Sequence, residues 1–117
     1  MNFQIEKTEK FTVIKLKAEK LDSTIAPLLK SELVILNTDG VKNIIIDMSE
    51  TRYCDSSGLS AILIANRLCK NSQGVFVLTG LQETVKKLVS ISQLDTILNI
   101  TPTMEEAAEM FSVTSPT

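Results

Sequence analysis

The chain has 117 residues, 44% of them apolar and 22% charged, a length and balance that fit one soluble globular domain and exclude a disordered or fibrous chain. A net charge of −2 with one tyrosine, four phenylalanines and no tryptophan gives neither a basic field for a nucleic-acid duplex nor stacking platforms for a single strand. The longest apolar runs fall short of a membrane span, and the start Met1-Asn2-Phe3-Gln4-Ile5-Glu6 alternates where a signal peptide would be uniformly apolar, so no membrane insertion is expected and the cytoplasm is the expected compartment.

Phe3-Gln4-Ile5 alternates, as does Phe11-Thr12-Val13 before running on into Ile14 and Leu16, and the polar Thr8-Glu9-Lys10 between them suits a hairpin. From Thr24 the spacing becomes helical: Ile25, Leu29, Leu33 and Leu36 share a face, Pro27 is tolerated in a first turn, and Asp39-Gly40 ends the run. This predicts a helix over about residues 25–38. Val41 and Ile44 to Ile46 form a short β-branched run of the kind buried on both faces, and Val75 to Leu78 forms the next. Between them Leu59 to Cys69 reads as a helix, and two buried strands joined by a helix imply a right-handed parallel crossover. Past Gly80, Val85, Leu88 and Val89 mark a third helix, Ile97 to Ile100 a weak strand, and Thr101-Pro102-Thr103 the start of a fourth helix. There Thr103 with Glu106 matches a capping box, while Pro102 suits a first helical position if Thr101 caps instead. Val113 to Thr117 reads as a frayed tail, leaving a single domain over 1–117 with its core at about residues 3–112. The order β-β-α-β-α-β-α-β-α describes an α/β fold, a mixed β-sheet with helices packed against it, which by itself names no function.

Enzyme chemistry is poorly supplied. No histidine is present, which removes a Ser-His-Asp triad and a histidine metal site. There is no Gly-x-Ser-x-Gly elbow, no Gly-x-Gly-x-x-Gly and no phosphate loop ending in Gly-Lys-Ser/Thr. Cys54 and Cys69 have neither the spacing of a metal knuckle nor that of a redox pair and read as reduced packing residues. The expectation is a protein that is not an enzyme and holds neither metal nor cofactor.

The informative stretch is Asp55-Ser56-Ser57-Gly58, between the strand-like Ile44 to Ile46 and the helix-like Leu59 to Cys69. A loop entering a helix offers hydroxyls and free backbone N–H groups together, which suits a serine that accepts and displays a phosphate. The plainer role is capping, with Asp55 or Ser56 accepting from the first N–H groups. At about 3.6 residues per turn, Leu59, Ile62, Ala65 and Cys69 face the sheet, whereas Ser57, Ser60, Ile64, Arg67 and Asn71 form an outward stripe headed by Ser57. Ile64 on that stripe is offered equally to a second copy, as a homodimer, or to a different partner. Asn66 falls within the apolar arc, unexplained by it. A phosphate on Ser57 adds about −1.5 to −2 charge, which the helix N-terminus tolerates and a docked partner does not.

The order of Leu21-Asp22, Ile44-Ile45-Ile46-Asp47-Met48-Ser49, Tyr53-Cys54-Asp55-Ser56-Ser57-Gly58-Leu59 and the strand from Gly74 to Thr79 resembles the STAS family, the sulfate-transporter and anti-sigma-factor-antagonist domains, over about residues 3–111. The likeness is to its small stand-alone bacterial antagonists and implies the STAS-type mixed sheet. It also implies partner switching: the unphosphorylated form binds an anti-sigma factor and frees a sigma factor. The anti-sigma factor, a serine kinase, phosphorylates the second serine of the motif, here Ser57, and a metal-dependent serine/threonine phosphatase reverses the step. ATP and magnesium then belong to the kinase. Asp22, Asp55, Ser56, Ser57, Gly58, Ser60, Ile64 and Arg67 form the expected partner-binding set. The alternative is a STAS subunit of a larger regulatory or lipid-transport assembly in which Ser57 is never phosphorylated. One departure is Glu19-Lys20-Leu21-Asp22 where the family often has Gly-Arg-Leu-Asp, and a glutamate resists a turn that glycine permits, so the loop carrying Asp22 is expected to sit differently.

Overall fold

In the computed structural model, which describes residues 2–112, the alternating start of the chain forms β1 (Phe3–Lys7) and β2 (Thr12–Leu16). They pair antiparallel with Ile5 opposite Ile14, and the Thr8 N–H donates to the Phe11 carbonyl at 2.8 Å to close the hairpin. A two-residue strand, β3 (Lys20–Leu21), leads to α1 (Ala26–Thr38). Pro27 lies in the first turn of α1, where its missing N–H costs nothing, and Gly40 at φ 91° ends the helix in a conformation that suits glycine. β4 (Ile44–Asp47), a second short strand β5 (Tyr53–Cys54), α2 (Ser56–Asn71) and β6 (Phe76–Thr79) follow. The chain continues through α3 (Glu83–Ile91), a 3₁₀ turn at Leu94–Thr96, β7 (Asn99–Thr101) and α4 (Met104–Ser112).

The main sheet has the order β1-β2-β4-β6-β7, with β2, β4, β6 and β7 in parallel register, so the expected mixed sheet and parallel crossover are both present. Ile44, Ile45 and Ile46 are each at most 1% exposed because β4 is central and covered on both faces. On one face Ile14, Ile44, Ile46 and Leu78 pack with Leu29 and Leu33 of α1, Ile62 and Ala65 of α2, and Val85 and Val89 of α3. On the other, Val13, Ile45 and Val77 meet Ala107 of α4, with Phe11 and Phe111 stacked at 5.2 Å between ring centroids. Thr103 is the residue that caps α4, its Oγ1 accepting from the Glu106 N–H at 3.2 Å.

Two details depart from the sequence reading. The last strand starts at Asn99, two residues later than expected, because Gln93 takes a left-handed conformation (φ 62°) and the Ile97 and Leu98 N–H groups both donate to the Leu94 carbonyl. That leaves Ile97 outside the sheet and 51% exposed, while Leu98 turns inward. β3 and β5, a separate two-stranded parallel sheet, add two short strands to the expected order. Residues 113–117, read as a frayed tail, lie outside the described residues.

With Ile46 fully buried between β2, β6 and the helices above, Ile46→Ala should lower the unfolding free energy by about 2–5 kcal/mol, read as a lower urea midpoint at unchanged slope.

Candidate functional site

The site is built on the smallest sheet in the molecule. Lys20 pairs with Tyr53 and Leu21 with Cys54, so the next residue on each strand, Asp22 and Asp55, leaves the pair in the same direction and each begins a turn into a helix. The Leu21 carbonyl accepts from the Asp55 N–H at 3.3 Å, and the Glu19 carbonyl accepts from the N–H groups of both Arg52 and Tyr53. Glu19 has no positive φ, so the glycine often found there is not required by this backbone, and Asp22 stands beside Asp55 despite the substitution.

Both aspartates accept backbone N–H groups at the approach to a helix, and Asp55 is the cap itself. Asp55 is the extended residue before α2, and its Oδ1 accepts from the Gly58 N–H at 3.1 Å while its carbonyl takes the Leu59 N–H at 3.0 Å. Asp22 Oδ1 accepts from the Thr24 N–H at 2.9 Å and more weakly from Ile25 at 3.4 Å, fixing the turn ahead of α1. With the Gly58 N–H taken, the N–H groups of Ser56 and Ser57 have no protein acceptor among the described residues and lie at the positive end of α2.

Ser57 is half-buried in that first turn, and its hydroxyl makes no hydrogen bond within the described residues. The stripe below it is graded. Ser60 and Ile64 are half-buried, and Arg67 and Asn71 are exposed, so Ile64 offers less surface than an isolated apolar residue on an outward face suggests. Ser56 is exposed. Gly58 is different: it is buried, and a Cβ placed on it would lie 2.4 Å from the Leu21 carbonyl oxygen and 2.6 Å from Cys54 Sγ. Its part in the motif is close approach, because only a residue without a side chain lets the first turn of α2 rest on the β3–β5 pair. Tyr53, absent from the sequence-based set, is 50% exposed on the strand that leads into Asp55. No local pattern marks it, because a strand of two residues is too short to show alternation.

The two thiols are buried and unpaired, as packing residues should be. Burial, helped by the Asp55 charge, pushes the Cys54 thiol from its ordinary 9.0 up to about 12, and burial, partly offset by a backbone hydrogen bond at Ile44, pushes Cys69 up to about 11. Among the described residues no three His, Cys, Asp or Glu side chains are grouped to hold a metal ion, and no helix is long and apolar enough to cross a membrane.

Two outcomes follow. Gly58→Ala should destabilise the fold by about 1–3 kcal/mol in urea unfolding, since backbone rather than a flexible side chain blocks the added methyl group. For the thiols, a folded value above the unfolded one means that their contribution is complete below 9.0 and is lost as pH rises from there toward about 11 and about 12. Urea midpoints measured across that alkaline range should fall less steeply in a variant carrying Cys54→Ala and Cys69→Ala.

The chain matches the STAS domain over residues 2–107. The anti-sigma-B factor antagonist of Staphylococcus aureus is 28% identical over 103 residues, covering 86% of this chain and 94% of that protein. The crystal structure of TM1081 from Thermotoga maritima superposes with a TM-score of 0.84 at 27% identity, covering 94% of each chain. The Bacillus cell-fate determinant SpoIIAA, solved in its phosphorylated form, gives a TM-score of 0.72 at 26% identity over 92% of this chain and 97% of its own. With the aspartate–serine turn set on two paired strands and a family match that spans nearly the whole chain, this protein belongs to the STAS domain family.

Proposed function

We propose that this protein is an anti-sigma factor antagonist that works by partner switching in the bacterial cytoplasm. Unphosphorylated, it binds an anti-sigma factor and so frees a sigma factor. Phosphorylated on Ser57 by that anti-sigma factor acting as a serine kinase, it lets go, and a serine/threonine phosphatase restores it. ATP and magnesium are bound by the kinase, and this chain contributes the acceptor hydroxyl and the docking face.

The observation that carries the reading is the state of Ser57: partly exposed, without an internal hydrogen bond to lose, and set beside two open N–H groups at a helix N-terminus. A phosphate of about −1.5 to −2 charge is electrostatically favoured there, so modification leaves the domain folded. A docked partner experiences the same charge as a dianion to be desolvated, and that cost is comparable with the few kcal/mol separating bound from free. Support also comes from the names of the relatives: one is an anti-sigma-B factor antagonist, and another has been solved with its phosphate in place. The face offered to the partner comprises Asp22, Asp55, Ser56, Ser57, Ser60, Ile64 and Arg67, with Tyr53 added at its edge and Gly58 holding it in shape.

The test combines peptide mapping with binding. Protein recovered from its own cells with phosphatases blocked should carry its phosphate on Ser57, and Ser57→Ala should carry none while binding a purified anti-sigma factor kinase from the same organism as the parent does. Ser57→Asp should weaken that complex by at least about tenfold, or about 1.4 kcal/mol, with an unchanged urea midpoint. Phosphate mapped to another residue, or a Ser57→Asp complex as tight as the parent's, rejects the assignment.

A further inference from the structure

Beside the sheet edge, α3 and β7 flank an open groove of about 450 Å³ that adjoins a second of about 270 Å³, the two sharing Leu81, Lys86 and Ile100 in their walls. The first volume lies within the roughly 300–1,000 Å³ typical of small-molecule sites. Val89 and Leu98 add apolar wall to the first chamber, and Pro102 adds it to the second. The Ser57 face uses none of these residues.

The charges decide what fits. Lys86 and Lys87 both line the first chamber, where Glu83 and Asp95 oppose them, so that end has no net preference. In the second chamber Lys86 is the one charged residue among the described lining residues, the others being Leu81, Ile100, Thr101 and Pro102. None of the salt bridges among the described residues involves Lys86, whereas Lys15, Lys17 and Arg52 each have an acidic partner. An ammonium with no ion pair among the described residues, set beside the apolar Leu81, Ile100 and Pro102 of the second chamber, suits an anionic head with an apolar tail.

The geometry points to a binding site for a free monocarboxylic acid with an unbranched apolar chain, its carboxylate on Lys86 and its chain along Leu81 and Ile100. The probe is decanoate below its micellar concentration, titrated into the ¹⁵N-labelled full chain, with decanol as the uncharged control. Saturable shifts should centre on the amides of Leu81, Lys86 and Ile100, and decanol should bind at least about tenfold more weakly. Lys86 is exposed, so Lys86→Glu should keep the parent's thermal midpoint and lose decanoate binding by at least about tenfold, while Lys87→Glu should lose less. Equal binding of decanol, unchanged binding by Lys86→Glu, shifts that never saturate, or binding to anionic vesicles without binding to monomeric decanoate would each overturn the proposal.

Discussion

One backbone carbonyl organises the site. The oxygen of Leu21 accepts the Asp55 N–H, and it is also the atom that a Cβ on Gly58 would strike first. Two strands of two residues each do not hold together by their own pairing. Here the pair is braced from outside: Thr51 Oγ1 donates to the Ala18 carbonyl at 2.9 Å, and the Glu19 carbonyl receives two N–H groups from the facing loop. Thr84 Oγ1 at the start of α3 donates to the Arg52 carbonyl at 2.6 Å, and Gln82 Nε2 to the Ser49 carbonyl at 2.6 Å. The small sheet is thus fixed to the core by its neighbours, and it leads into the Asp22 turn ahead of α1 and the Asp55 cap of α2.

This arrangement separates stability from display. The residues that hold α2 in place are Leu59, Ile62, Ala65 and Cys69, all buried on the sheet side. Ser57 contributes neither apolar burial nor a hydrogen bond among the described residues, while Asp55 takes the Gly58 N–H and leaves those of Ser56 and Ser57 open. A charge added at that hydroxyl therefore meets favourable backbone dipoles and breaks no hydrogen bond among the described residues. Such a charge is read by whatever lies outside the domain, which is the physical requirement for a switch whose output is binding.

The parts of this molecule that follow from side-chain period were legible in the sequence. Leu29, Leu33 and Leu36 on one helical face and the apolar run Ile44 to Ile46 specify α1 and β4 without reference to anything distant. The caps of α2 and α4 were legible for the same reason to within two candidates each, Asp55 or Ser56 and Thr103 or Thr101, and the structure has Asp55 and Thr103, each bond spanning three residues. The β3–β5 pair was not, because two residues are too few to show alternation and the pairing joins segments more than thirty positions apart. The role of Gly58 was hidden with it: a glycine in a serine motif reads as part of the display until Leu21 is known to lie against it. Ile97 misled because its apolarity continues the pattern of the strand, whereas the left-handed Gln93 upstream turns the backbone before the sheet is reached.

The braces described above also set the terms on which distant events can reach Ser57. α3 contributes Lys86 and Val89 to the groove at the sheet edge, and through Thr84 it holds the loop that becomes β5 and then the Asp55 cap. A molecule lodged in that groove changes the presentation of Ser57 only by the difference between its affinities for two positions of α3, and tight binding to both changes nothing. Since Val85 and Val89 anchor α3 in the core at 1% exposure each, large excursions of the helix are resisted by packing. The segment left free to respond is the first turn, where Glu83 and Thr84 are exposed and the connection to the loop is a pair of side-chain hydrogen bonds. Communication between the groove and the serine turn would therefore act through those two bonds before it moved any part of the core.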